Sequence, residues 1–418
     1  MIGVPEPRAQ RLADGVALLS AWVLLAGIPV LMVFANRGSA AALTFASGLL
    51  LLAVLLDPRL GLAPVSLAKR LVGALARPIP MLIMVLVVLA LIGIPKTQHP
   101  AFNLLRLVEF LIPVLITAIF LVLNGLRVLP LSFVALAAGL VGAILLVQIE
   151  LHGGSTLRAF FGLRGEPWRL NRTVVCLVTY LPALMMLARN RREQLFSVLL
   201  AGMIAVTSIQ SESGASALGF SVFLTVTLLA YLVWRATAFL VFGATMLAVM
   251  TAPFHGHLLE AMIPVWMHER MRSVSSAIRV GIYQAYEAAI YHAPIFGSGF
   301  NAGARFRDEP GFLIIPPALQ HSVEFGHPHN AALQLWLELG FAGAVLVMSI
   351  LILLAREMGR LPSSIRPPAL GFFAMIVAIS LVSHGAWQAW WVALAGLGIV
   401  ITTNCVRLGA RSPNGARL

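Results

Sequence analysis

The sequence predicts an all-α polytopic membrane protein of about twelve transmembrane helices with one large outer loop, and three observations predict it. Sixty per cent of the 418 residues are hydrophobic and only 11% are charged. The mean hydropathy is +0.93, which fits no soluble globular class. Apolar windows of membrane-spanning length recur along most of the chain. The net charge of +13 is almost wholly arginine, Lys69 and Lys96 being the only lysines. In such a chain this charge reports topology and contact with anionic lipid, not nucleic-acid binding. Cys176 and Cys405 are the only cysteines and both lie in apolar runs, so neither a disulfide framework nor a zinc site is expected.

Taken in order, the apolar windows are 15–34, 38–56, 79–95, 104–124, 128–149, 173–189, 195–210, 216–234, 236–253, 331–354, 368–385 and 389–406. Residues 1–253 thus carry spans one to nine, 254–330 a loop with amphipathic helices, and 331–418 spans ten to twelve. The first window suits a spanning helix better than a signal segment and no small-residue cleavage site follows, so the N-terminus is expected to stay attached. With that terminus cytoplasmic, seventeen of the 29 lysines and arginines fall inside, and both termini are cytoplasmic. Nine of the other twelve sit in two outer loops, 150–172 and 254–330. Long loops tolerate such a violation of the charge rule, which frees these arginines to grip an anionic ligand.

Loop 150–172 carries His152, Arg158, Arg164, Arg169, Asn171 and Arg172 among four glycines. It reads either as that grip or as headgroup contact at the membrane surface. The turn Gln210–Ser216 is unusually polar for a hairpin, though Ser213 and Ser216 also suit close helix packing. In loop 254–330, His255, His257, Glu260 and His268 lack metal-ligand spacing and read as surface residues of a helix lying on the bilayer. A helix is expected over roughly 270–292, with Arg272, Arg279, Tyr283 and Tyr286 on one face and Glu287 at its edge. That face suits a phosphate and a sugar ring, and equally suits snorkelling arginines. Pro294 and Gly297-Ser298-Gly299 end it, ahead of Asn301, Gly303, Arg305 and Arg307. No strand precedes these glycines, so a nucleotide fingerprint is rejected in favour of close backbone approach. Residues 308–326 are expected to form an irregular lid.

The run Gly326–Gly340 is the pivot. Pro328 disfavours a helical His327 and Asn330 is a good N-cap, so a helix should start there with His327 and His329 at its mouth. Asn330, Gln334 and Glu338 then form a polar stripe about 12 Å long down a membrane helix. Ser383-His384-Gly385-Ala386-Trp387-Gln388-Ala389-Trp390-Trp391 adds a last polar feature, whose tryptophans also read as interface anchors.

With these residues in place, the chain resembles the bacterial O-antigen ligase and polysaccharide polymerase superfamily, and more narrowly the O-antigen ligase-like membrane proteins of alphaproteobacteria. The resemblance rests on His327–Gly340, the Pro294–Phe300 turn, Trp387–Trp391, Leu170-Asn171-Arg172 and Arg279-x-x-x-Tyr283. It spans roughly 170–391; the first 150 residues match in hydropathy alone. It implies a GT-C-type glycosyltransferase of the bacterial inner membrane, active on the periplasmic face without metal, cofactor or nucleotide sugar. The donor it implies is a glycan on undecaprenyl pyrophosphate; the acceptor is lipid A–core in a ligase, another glycan in a polymerase, or protein in a minority. Many members carry an arginine in a Ser-Arg-Gly turn where this chain has Ser211-Glu212-Ser213-Gly214, which leaves that phosphate contact to Arg172, Arg305 or Arg307.

The residues agree with that implication. A pyrophosphate leaving group needs positive charge, which Arg279 with Arg305 or Arg272 would supply, helped by the N-terminus of the 330 helix. His329 is the expected proton acceptor for the acceptor hydroxyl, with His327 as alternate or orienter. Glu338 would fix a histidine tautomer if the chain folds back on it. Arg307, Tyr283, Asn330, Gln334, Arg172, Trp387 and Gln388 complete the expected substrate contacts. A twelve-span secondary transporter is the rival reading, but no repeat relates residues 1–210 to 211–418.

Overall fold

The computed structural model describes residues 7–61, 64–163, 165–211, 213–264, 266 and 275–411, and among them every regular element is helical. Ten helices are long and apolar enough to cross a membrane: α1 (Arg8–Phe34), α2 (Ser39–Leu56), α4 (Pro78–Lys96), α5 (Pro100–Leu126), α6 (Phe133–His152), α7 (Trp168–Leu187), α8 (Arg191–Gln210), α9 (Gly214–Leu232), α13 (Ala331–Gly359) and α15 (Ala389–Ala410). An eleventh span is α10 (Trp234–Met250), which bends by 63° into Ala252–Met262, whose helix α11 is His255–Met262. The twelfth, α14 (Arg366–Val382), is apolar but shorter. All twelve apolar windows therefore lie on helices. Two longer helices lie outside the windows: α3 (Pro64–Leu75), which was not expected, and α12 (Ser275–Ile290), which falls within the helix expected over roughly 270–292.

Local sequence explains the boundaries. Prolines open α4, α5 and α14, where a missing N–H costs nothing. At α8, Asn190 accepts from the Glu193 N–H while Glu193 Oε2 accepts from the Arg189 N–H at 2.6 Å, a reciprocal cap. Where spans cross, small residues let backbones touch. A Cβ on Gly139 of α6 would lie 2.3 Å from the Cα of Ala26 in α1, and one on Gly396 of α15 would meet Thr117 of α5 at 2.1 Å.

Two large apolar cores result, with a small third around Ala230, Phe242, Met358 and Leu370. One joins α1, α2, α6, α7 and α15; the other joins α4, α12, α13 and the segments around Phe300, Phe306 and Val323. The turn at 35–38, the loops 97–99 and 153–170, and the 254–330 region lie together on one face of the bundle, as Asn36–Arg169 and Gln98–Glu309 hydrogen bonds show. On the opposite face Arg127 bridges Asp14 and Asp57, and Arg59 joins the same carboxylates.

One element departs from expectation. The 330 helix is not continuous: Gly340 sits at φ 60° and ψ −158°, a conformation essentially confined to glycine, and breaks α13 into 331–339 and 341–359. The 294–299 segment splices the break. Ser298 and Gly299 donate N–H groups to the carbonyls of Leu337 and Glu338, at 2.7 and 3.1 Å, while Phe341 and Ala342 donate to Pro294 and Ile295, at 2.8 and 3.0 Å. Backbone groups orphaned by the break are thereby satisfied. The glycines at 297 and 299 do provide close backbone approach: a Cβ on Gly297 would stand 2.3 Å from Glu338 C, and one on Gly299 would stand 2.5 Å from the Gly93 carbonyl at the end of α4. The apolar arm 341–359 is about 28 Å long and spans by itself. Glu338 thus belongs to a capped half-helix level with the end of α4, and the expected stripe inside a continuous membrane helix is corrected.

Gly340→Ala should be severely destabilising, since its Cβ would meet Ile295 at 2.5 Å in a conformation alanine avoids. The loss expected is about 2–4 kcal/mol, read as a lower thermal midpoint of the detergent-solubilised protein. An unchanged midpoint would show that the break is not enforced by glycine.

Candidate active site

The half-helix 331–339 begins at Asn330, whose side chain accepts from the Ala332 and Leu333 N–H groups at 2.9 and 3.1 Å, the N-cap its sequence predicts. Its other amide atom, Nδ2, reaches His255 Nδ1 at 3.0 Å. Immediately before the cap, His329 adopts a left-handed backbone, φ 53°, which is uncommon for a non-glycine residue and clusters at functional sites. Its N–H donates to His327 Nδ1 at 3.1 Å, and the two rings lie 4.1 Å apart. His329 Nδ1 meets the Ser383 carbonyl at 2.9 Å. A carbonyl only accepts, so the proton sits on Nδ1 and Nε2 is the basic nitrogen.

Three histidines gather here. Burial, then the charges of His329, His384 and Arg172, hold His327 down to about 3. Burial, then Arg172 and His329, holds His384 down to about 3. Burial also lowers His329; Arg279 adds to this and the Ser383 carbonyl opposes it. All three are neutral at pH 7, and the positive charge at the cluster comes from Arg172, which acts on His327 and His384, and from Arg279, which acts on His329. His384 packs edge-on to Trp390 at 4.7 Å, and its buried Nε2 has no protein partner, as suits a group kept for a ligand. Arg172 stacks over the other side of this aromatic patch, 5.3 Å from Trp390. Tyr283, one turn from Arg279 on α12, donates to the Leu381 carbonyl at 3.1 Å. Burial raises its phenol pKa, with Arg279 and Asn330 opposing. Gln388 accepts from Trp390 Nε1 at 2.9 Å and its amide stands 3.5 Å from His327.

Other expected contacts fall elsewhere. Arg305 lies over Phe102, 4.8 Å from its ring centre, and beside His99, and Arg307 pairs with Glu324 at 2.6 Å. Trp387 turns inward: its Nε1 donates to Glu338 Oε2 at 2.6 Å and its ring packs on Phe110 and Phe300. Glu338, fully buried, also accepts from the Asn301 N–H at 2.5 Å and from Gln334 Nε2 at 2.9 Å, while Gln334 Oε1 accepts from the Ala386 N–H at 2.8 Å. The His329 tautomer is set by Ser383, not by Glu338, while Gln334, Glu338 and Trp387 hydrogen-bond in one buried network. The 308–326 lid is built of successive 3₁₀ turns, not irregular chain. Arg272, Arg164, Glu212, His268 and Arg270 lie outside the described residues.

Sequence reasoning missed two contributors. His255, expected on the bilayer surface, instead bonds the cap residue of α13. His257 pairs with the buried Glu287 at 2.6 Å, tying α11 to α12; the His-x-His spacing was visible, its partners were not. The Ser383 carbonyl left no signal, being backbone.

A family model described as O-antigen ligase matches residues 195–348, from α8 through the broken helix and its histidines. Three similar rickettsial proteins carry the provisional name polysaccharide ligase. That of Rickettsia typhi is 25% identical over 278 residues, 64% of this chain and 66% of its own. Those of R. prowazekii and R. felis are 28% and 26% identical over 273 and 276 residues, in each case 64% of this chain and 66% or 65% of theirs. Over these segments the chain is similar to proteins of the O-antigen ligase-like class. Its match spans just under two thirds of these relatives' length. In this ligase-like chain the matched segment contains α12, the 294–299 splice and the His327–His329 pair.

Glu338→Ala would leave three buried donors without an acceptor and should cost about 3 kcal/mol or more. Trp387→Phe removes one of them and should cost less, about 1–3 kcal/mol. Thermal midpoints in detergent check the order; equal midpoints for both variants and wild type would dismiss the carboxylate as an organiser.

Proposed function

We propose that the protein is a glycosyltransferase that moves a glycan from undecaprenyl pyrophosphate to an acceptor hydroxyl on the periplasmic face of the inner membrane, most specifically O-antigen ligation to lipid A–core. The observation that carries this reading is His329, strained, neutral and oriented by Ser383, with the charge of Arg279 acting on it and that of Arg172 acting on the neighbouring His327 and His384. The family match supports the ligase class, and the relatives' names point to polysaccharide. The donor, acceptor and side of the membrane belong to the proposal.

In the reaction, His329 Nε2 takes the proton of the acceptor hydroxyl as its oxygen bonds to the anomeric carbon of the glycan. The bond from that carbon to the pyrophosphate oxygen breaks, and undecaprenyl pyrophosphate leaves with the electron pair. Arg172 and Arg279 hold the charge that develops on the leaving group. His327 braces the His329 backbone by accepting its N–H.

His329→Ala should lower transfer in a reconstituted assay about 10²–10⁴-fold while the protein remains in the membrane; activity at the wild-type level would end the proposed role. Because the folded environment lowers the His329 pKa, its base form persists below the ordinary value of about 6.5. The acid limb of the kcat/KM profile should therefore lie below pH 6.5, activity falling as pH drops through the lowered value; a limb above 6.5 contradicts this. In a deletion strain, full-length polymer on the carrier with bare lipid A–core supports ligation. Single repeat units on the carrier would instead mean a polymerase.

A further inference from the structure

A second basic site lies at the same end of the bundle, in the cleft between the α1–α2 turn and the loop that follows α6. It is an open groove of about 550 Å³ lined by Phe34, Asn36, Arg37, Arg158, Leu163 and Arg169, among others. Its construction is not that of arginines merely trailing on a surface. Arg158 is buried and Nη1 is fixed on the Val33 carbonyl at 2.7 Å. The cleft walls are tied by Asn36 Nδ2 donating to the Arg169 carbonyl at 3.2 Å, and by Phe34 against Phe161 at 5.4 Å. Arg37, at the mouth, is exposed and, among the described residues, has neither an ion pair nor a hydrogen-bonding partner. Arg37, Arg158 and Arg169 are joined behind by Arg172, which lies within electrostatic reach of Arg37 and Arg169. The nearby carboxylates are Glu150, which accepts the Leu157 and Arg158 N–H groups, and Glu166, which pairs with Arg169. Four guanidiniums against two carboxylates leave the cleft cationic.

Beside it runs an apolar lip. Phe160 is 83% exposed, Phe161 60% and Trp168 58%, on the same short loop. Exposed aromatics at this level of a membrane protein sit among headgroups. A cationic cleft opening beside a membrane-inserted lip has the complementarity of a lipid with a phosphate at its head and chains alongside.

We propose that this cleft binds the phosphomonoester headgroup of a membrane lipid, held by Arg37, Arg158 and Arg169. Since Arg172 also reaches His327 and His384, the bound lipid is delivered next to the histidine cluster. In the transfer reading it is the lipid-anchored acceptor, and only that assignment rests on the reading; the binding does not.

The test uses the full chain in neutral detergent micelles, titrated with phosphatidic acid, with phosphatidylcholine, and with inorganic phosphate in lipid-free micelles. Phosphatidic acid should bind, and the R37Q/R169Q double variant should bind it at least about tenfold more weakly, as loss of charge-assisted contacts requires. R37K/R169K should retain most of the affinity, and H329A, which disables only the proposed transfer, all of it. Both altered side chains reach solvent, so size-exclusion profile and thermal midpoint report whether the fold is kept. Equal affinity of R37Q/R169Q and wild type overturns the site. Equal binding of phosphatidylcholine would reduce it to an apolar anchor, and equally tight inorganic phosphate would make it a site for a soluble anion; either result overturns the lipid assignment.

Discussion

A single buried carboxylate organises the mouth of this bundle. Glu338 is fully buried at the last turn of a half-helix, where an unpaired charge would cost several kcal/mol. It is tolerated because donors arrive from three directions: Asn301, Trp387 and Gln334. Each brings a segment with it. Asn301 hooks through its own amide to Asn103 and so to α5, Trp387 fixes the α14–α15 connection, and Gln334 carries Ala386. The broken helix is the counterpart in the backbone. Splitting α13 at Gly340 frees N–H and C=O groups that the 294–299 segment satisfies, and the same segment seats the loop against α4 through Gly299 and Gly93. Carboxylate and splice together hold the α12–α13 region and the 383–388 connection in one register, which is the register the histidines need.

That register decides the chemistry. His329 is oriented by the Ser383 carbonyl, a group whose position depends on the α14–α15 connection that Glu338 and Gln334 pin. Burial and the guanidiniums push the three imidazoles the same way, toward neutrality. Acid–base capacity and positive charge are thus assigned to different residue types in one small volume. A cluster of protonated histidines would bind anions but could not accept a proton, whereas neutral histidines flanked by arginines can do both.

Much of this was legible in the sequence, and the failures have physical causes. The twelve apolar windows all became helices because hydrophobicity over some twenty residues is a strong signal. The Asn330 cap was legible because side-chain capping is local. The break at Gly340 was not: a glycine in an apolar helical run reads as a packing residue, and only the arrival of 294–299, some forty positions earlier, makes its conformation favourable. Trp387 read as an interface anchor or ligand contact because its indole N–H must find an acceptor, and sequence does not say which. Arg305 and Arg307 were grouped with the site by proximity along the chain, but the 3₁₀ turns carry them toward α5 and Glu324. Arg172, distant in sequence, is the one that reaches the histidines.

The two basic loops that break the charge rule now have distinct accounts. The 254–330 loop contributes Arg279 and the histidine pair, while its remaining described arginines pair with a carboxylate or stack on an aromatic ring. The shorter loop forms one wall of a separate cationic cleft and hands on to Arg172. A transferase whose substrates are both lipid-anchored faces a geometric constraint that a soluble enzyme does not: neither reactant can tumble, so each charged head must be caught at the depth its chains allow. Two arginine clusters at one end of the bundle, with Arg172 in electrostatic reach of both, suit that constraint.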